Sequence, residues 1–156
     1  MSRSLERVRG ALAEAGVAVE IVEMDQSTRT AAEAAAAAGC AVDQIAKSII
    51  FRGEASGHVV LFLTAGSNRV SPQKASAIAD QPLGKADADL IRAETGFAIG
   101  GVAPVGHRVA VPCFFDPRLL DFDVVWAAAG TPRHIFAIAP GDLLRLTGGQ
   151  VADFTA

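Results

Sequence analysis

No apolar run in this chain approaches 18 residues, which excludes a membrane-spanning helix. There is no basic surplus: 14 Lys and Arg stand against 17 Asp and Glu, a net charge of −3. No global field therefore draws duplex nucleic acid to the surface, so DNA is not an expected partner, although a local basic site for the end of one RNA strand stays open. The first residues, Met1-Ser2-Arg3-Ser4-Leu5-Glu6-Arg7, turn amphipathic at once and carry no signal-peptide core. Cys40 and Cys113 are isolated, a usage that fits a reducing compartment and not a disulfide scaffold. These absences together predict a cytoplasmic domain without a membrane partner.

Familiar catalytic signatures are missing as well. The chain has no GxxxxGK[ST] loop, GxGxxG turn, GxSxG elbow or HExxH helix. His58, His107 and His134 lie far apart, and neither cysteine belongs to a CxxC pair. A structural zinc site normally needs four Cys or His ligands and a catalytic one three protein ligands, so no metal and no cofactor is expected. The cysteines read as small buried hydrophobes.

What is present is core. Hydrophobic residues make up 51% of the 156, enough for one globular domain over residues 1–156 without a linker or internal repeat. Leu5, Val8 and Leu12 recur at helical spacing over residues 4–15, and residues 17–23 read as a strand. Thr30-Ala31-Ala32-Glu33 is a capping-box pattern opening an alanine-rich helix that Gly39 stops. Residues 47–52 and 58–64 form a strand pair around the turn at Gly53–Gly57. Ser71-Pro72 and Asp87 each begin a helix, the second ended by Gly96. Phe97-Ala98-Ile99, 108–111, 113–115, 124–129 and 134–138 read as extended, and a last helix starts at Pro140. Many strands are separated only by turns. The expected fold is therefore α+β, with a mixed, strongly curved, barrel-like sheet and helices packed outside.

Two stretches carry candidate chemistry. Ile99-Gly100-Gly101-Val102-Ala103-Pro104-Val105-Gly106 combines glycines, which let a ligand approach backbone N–H groups, with a stiffening proline. The same cluster also reads as a tight connection between strands. Lys47 stands before Ser48-Ile49-Ile50-Phe51, so its stem is half buried. It either snorkels to solvent or holds a phosphate or carbonyl oxygen in a cleft. Asn68 and Arg69, at the end of the neighbouring strand, either line that cleft or are ordinary loop polar residues.

Taken in order, Thr28-Arg29-Thr30 with the alanine helix, Ile45-Ala46-Lys47-Ser48-Ile49-Ile50-Phe51, Ala65-Gly66-Ser67-Asn68-Arg69-Val70, Ala86-Asp87-Ala88-Asp89, the stretch from Gly96 to Gly106, and Trp126-Ala127-Ala128-Ala129-Gly130-Thr131-Pro132 resemble the YbaK/EbsC family. Its members are freestanding relatives of the editing domain of bacterial prolyl-tRNA synthetases, and the resemblance spans about residues 17–150. It implies a compact α+β domain that hydrolyses mischarged aminoacyl-tRNA, often tRNA(Pro), without a metal ion. The partners implied are the tRNA acceptor end and a prolyl-tRNA synthetase.

Lys47 matches the family's key lysine, and Gly100 and Gly101 match a glycine pair whose backbone faces the aminoacyl ester. Gly130 matches the glycine of a second pocket-lining loop. Ser48, Asn68, Arg69, Val102 and Ala128 join these as substrate-binding candidates. Ala128 stands where some members carry Ser, so hydroxyl participation at that wall is not expected. An aminoacyl ester is already activated, so water or a group of the substrate itself can attack once the ester is positioned. A binding module without hydrolysis and a hydrolase of another small acyl ester are the competing readings.

Overall fold

The computed structural model describes residues 3–156; Met1 and Ser2, part of the stretch read for a signal peptide, lie outside them. In chain order the helices are α1 (Arg3–Glu14), α2 (Ala31–Ala38), α3 (Pro72–Ala79), α4 (Ala88–Thr95) and α5 (Pro140–Thr147). The strands are β1 (Ile21–Glu23), β2 (Ala46–Gly53), β3 (Val59–Ala65), β4 (Leu83–Lys85), β5 (Cys113–Phe115), β6 (Val125–Ala128), β7 (His134–Ile138) and β8 (Gln150–Val151). Short 3₁₀ turns cover Val42–Gln44 and Pro117–Asp121. The α+β class is as expected. No helix among the described residues is long and apolar enough to cross a membrane.

The strands form two sheets where one curved sheet was expected. A five-stranded sheet has the order β4-β2-β3-β5-β8, and a three-stranded one the order β1-β7-β6. They meet at one isolated bridge, Ile45 to Trp126, and no closed barrel forms among the described residues. The physical reason is where the edges fall. β2 takes β4 on its outer edge only over Phe51–Gly53, so the rest of that edge has no strand to continue the sheet.

β3 is buried at every position and pairs antiparallel with β2 and parallel with β5. Alternate side chains of these strands feed two cores. Leu61, Leu63 and Phe115 pack with α1 (Leu5, Val8, Leu12) and with Phe97 and Phe136 from the loops and the smaller sheet. On the other face Phe62 meets Phe51, Phe114 and Phe154 at centroid distances of 5.7, 5.3 and 5.0 Å. A third small cluster packs Ala34 and Ala35 of α2 on Ile45, next to the bridge.

Helix ends follow sequence chemistry. Thr30 and Glu33 make the full reciprocal capping box, and Gly39 closes α2 at φ 71°. Ser71 caps α3 and Asp87 caps α4 through side-chain acceptance of an N–H three residues on. Several predicted extended stretches come out differently. Residues 17–20 run alongside without strand pairing, so β1 keeps only Ile21–Glu23. Phe97–Ile99 is not a strand, because Gly101 N–H closes a turn onto Ala98 O (3.2 Å) with Gly100 at φ 94°. Residues 108–111 also join no ladder.

Candidate active site

A cavity of about 480 Å³ opens between the two sheets, where the outer edge of β2 is unpaired. β2 contributes Lys47 and Ser48, the turn after α4 contributes Gly100 and Val102, and β6 contributes Ala128. Five of the nine predicted site residues thus share one cleft. Thr28, Arg29 and Thr30, just ahead of α2, form the opposite rim. Its apolar wall includes Ile50, Ile91 and Ile99, and Ile99 is 58% exposed at the mouth.

Lys47 is held from behind. Its Nζ donates to Gly66 O at 3.1 Å, in the loop following β3. Burial pulls the Lys47 pKa below the usual lysine value, and the nearby Arg69 charge lowers it further, against Asp116 and Asp43, which act to raise it. The loop carrying Gly66 is fastened by two carboxylates. Asp116, 2% exposed, accepts Ala65 N–H (3.0 Å) and Asn68 Nδ2 (2.9 Å) on one oxygen and Arg118 N–H (2.9 Å) on the other. Asp43 accepts both the N–H and the hydroxyl of Ser67, and its second oxygen takes Arg118 Nε at 3.2 Å. Gly66 itself has no room for a side chain, since a Cβ would lie 2.0 Å from Val42 O.

The other four predicted residues lie outside the cleft lining. Asn68 serves the Asp116 carboxylate. Arg69 sits exposed on the same loop and reaches Lys47 only through its charge. Gly101 is buried, its N–H is taken by Ala98, and a Cβ there would meet the Thr131 backbone at 2.8–3.1 Å. Gly130, at φ 98°, lies where a Cβ would meet Ser4 O at 2.9 Å. These two glycines let three backbone segments pack closely behind the cleft.

Arg29 lies along the glycine turn, and a Cβ on Gly100 would meet its side chain at 3.4 Å. Its guanidinium has no acceptor or carboxylate partner among the described residues, so a free cation stands at the rim. Arg29 was visible only as part of a motif. Its position across the cleft comes from α2 folding back over Ile45. Ile91 reads as helix core and Ile99 as the lead into the glycine turn; as cleft wall neither is legible, because the β2 residues they share the cleft with lie more than 40 residues away in the chain.

No His, Cys, Asp or Glu lines the cleft, and among the described residues no group of three such side chains could hold a metal ion. Cys113 is a buried thiol pushed up to about 11 by desolvation, well away from reactive thiolate character. What the cleft offers is a cation, main-chain polar groups and an apolar wall. It suits holding an activated ester more than supplying a protein nucleophile.

Comparison with known proteins gives this cleft a context. Residues 25–146 match the model of the aminoacyl-tRNA editing domain, and the chain belongs to that family. A crystal structure described as a proposed trans-editing enzyme for prolyl-tRNA synthetase is 48% identical, with a TM-score of 0.92 over 100% of this chain and 99% of that one. EbsC of Enterococcus faecalis (strain ATCC 700802 / V583), a proposed Cys-tRNA(Pro)/Cys-tRNA(Cys) deacylase, is 24% identical over 72% of this chain and 68% of its own length. YwhH of Bacillus subtilis (strain 168), an uncharacterized protein, is 27% identical over 85% of this chain and 83% of its own.

Proposed function

We propose that the protein acts in trans as a deacylase of mischarged aminoacyl-tRNA, with tRNA(Pro) carrying a small wrong amino acid as substrate. The observation that carries this reading is the cleft itself. In a chain of the editing-domain family, Lys47, Ser48, Gly100, Val102 and Ala128 converge on one cavity of about 480 Å³. A volume in this range suits a small ligand largely removed from water.

In this reading the acceptor end enters past Arg29, whose unpaired guanidinium suits a phosphate, and Lys47 supplies a second positive charge from β2. An attacking oxygen, from water, bonds to the ester carbonyl carbon while the carbonyl electron pair moves onto its oxygen. The intermediate then expels the ribose oxygen, which takes up a proton. With no carboxylate, imidazole or thiol in the wall, positioning and charge supply the rate, and a hydroxyl or thiol of the substrate can activate or replace the water. Ile91, Val102 and Ala128 set the size limit. Each methylene distinguishes substrates by only about 1–3 kcal/mol, so selection is by fit of small side chains. Because few phosphates are gripped, binding of free tRNA is weak and falls with salt.

The test is deacylation of tRNA(Pro) charged in turn with Ala, Cys, Ser, Thr and Pro, with Lys47→Ala alongside. Selective loss of one or two labels by the wild type, falling about a hundredfold in a folded Lys47→Ala, is the expected result. The absence of any carboxylate, imidazole or thiol from the wall also suits a module that binds charged tRNA without hydrolysis. Labels that are bound and stay attached would decide for that second reading.

A further inference from the structure

The five consecutive residues 46–50 of β2 all line the cleft. Successive side chains of a strand point to opposite faces, so a cavity touching five in a row sits on the strand's edge. The register says which groups it meets. Leu61 N–H donates to Pro112 O and Leu63 O accepts Asp116 N–H, both at 2.9 Å, so these β3 residues turn their main chain toward β5. Their partners across the ladder are Ile50 and Ser48. In an antiparallel pair, opposite residues either exchange hydrogen bonds or both face away. The N–H and C=O of Ser48 therefore face the cleft. On that edge β4 pairs only with Phe51–Gly53, and β6 makes its one bridge at Ile45. No strand among the described residues pairs with Ser48 from this side, and its enclosed Oγ also lacks a partner.

We propose that this gap is a one-residue strand site for the aminoacyl group, a reading that rests on the deacylase function proposed above. An α-amino ester has the polar pattern of a β residue, with N–H donors on one side of Cα and a carbonyl acceptor on the other. Lying antiparallel opposite Ser48, it exchanges both bonds. Its α-ammonium donates to Ser48 O, and its ester carbonyl accepts Ser48 N–H. As the attacking oxygen bonds to the carbonyl carbon, negative charge gathers on the oxygen already facing that N–H. When the bond to the ribose oxygen breaks, the electron pair and a proton go to the ribose. Ser48 N–H thus does the work expected of the glycine pair, whose Gly101 N–H is committed to its own turn. The site reads the main chain of any aminoacyl group and leaves the side chain to the apolar wall.

The experiment begins with wild-type deacylation of alanyl-tRNA(Pro) and the rest of the charged panel. A protein whose Ser48 main-chain amide is replaced by an ester, with the side chain kept, is then compared with it. A loss of about 10²–10³ in kcat with a smaller change in KM is expected for one donor facing an oxyanion. A loss under about threefold in folded protein overturns the proposal. If circular dichroism shows the ester protein unfolded, the wild type decides the matter on alanyl-tRNA(Pro) and lactyl-tRNA(Pro), which carries a hydroxyl in place of the ammonium. Each rate is divided by its uncatalysed rate. An enhancement at least tenfold larger for the alanyl ester supports the site, and equal enhancements overturn it. A wild type inert toward every charged tRNA overturns the deacylase reading and this proposal with it. Activity that survives the edge changes overturns this proposal alone.

Discussion

Replacing Asp116 by Ala should be among the most damaging single changes in the protein, although Asp116 lies outside the cleft. The carboxylate is buried and receives three hydrogen bonds: from Ala65 N–H, Asn68 Nδ2 and Arg118 N–H. A hydrogen bond to a charged group is worth about 1.5–3 kcal/mol net, and a buried donor left unpaired costs about 1–3 kcal/mol. Ala65 is fully buried and its N–H has no route to water, whereas Asn68 and Arg118 regain part of theirs from solvent. Because the three share one acceptor, their losses do not add, and a destabilisation of about 3–5 kcal/mol is the reasonable sum. For a chain of this length that corresponds to a melting temperature lower by about 6–20 °C. Urea unfolding followed by circular dichroism measures it directly. Asp116→Asn should fall between wild type and Ala, since the amide keeps one acceptor and turns an N–H against a donor. Deacylation should fall in both, as the loop loosens and Gly66 O no longer fixes Lys47. A loss of stability below about 1 kcal/mol in Asp116→Ala would refute the assignment of this carboxylate as the loop's anchor.

Gly101→Ala should destabilise by about 2 kcal/mol or more, because its Cβ would press within 2.8–3.1 Å of the Thr131 main chain, which cannot rotate away; thermal unfolding measures this. The Lys47 pKa lies below the usual value, chiefly through burial and then through Arg69. Its positive charge is therefore lost as pH rises through that lowered pKa, and kcat/KM should decline on the alkaline side. Arg69→Gln removes one cause of the lowering, so the alkaline limb should move to higher pH; an unmoved limb would exclude the coupling. Folded stability should rise with pH across the same window, because there the unfolded lysine still holds its proton and the folded one does not. Cys113, with a thiol pushed up to about 11 by burial, should resist iodoacetamide at pH 8 in the native protein and react fully in urea, as mass spectrometry would show.

Local chemistry was readable in the chain, and long-range pairing was not. The Thr30–Glu33 box, Ser71 with Pro72, and Asp87 with Gly96 each satisfy helix-end groups from within a few residues, so their spacing alone located α2, α3 and α4. The β2–β3 hairpin was equally local. Val17–Glu20 has strand composition, but a strand needs a partner, and the ladder with β7 forms only over Ile21–Glu23, opposite His134–Phe136, while Ala137 and Ile138 of β7 pair with β6 alone. Residues 97–99 look extended until the hydrogen bond from Gly101 to Ala98 is known. The parallel pairing of β3 with β5 joins segments some fifty residues apart, and no local pattern announces it.

In the site, Lys47, Ser48 and the glycine turn were legible as motifs. Asn68 reads as a cleft residue because it ends the strand beside that of Lys47, but its amide is spent on Asp116. Arg29 carries its charge into the site through the fold-back of α2, which places the rim opposite β2. That placement is a property of the packing of Ala34 and Ala35 on Ile45 and of nothing local to Arg29.

The bridge between Ile45 and Trp126, and the pairing of Ile21 with Phe136, have a consequence for how the protein is made. During synthesis the β2–β3 hairpin can close as soon as it emerges, since its contacts are short in sequence. The wall opposite is different. β1 must wait more than a hundred residues for β7, and Ala128 arrives only with β6. A nascent chain stopped before residue 138 therefore carries Lys47 on a formed strand with an open side, and acquires a closed cleft only once β6 and β7 have been made.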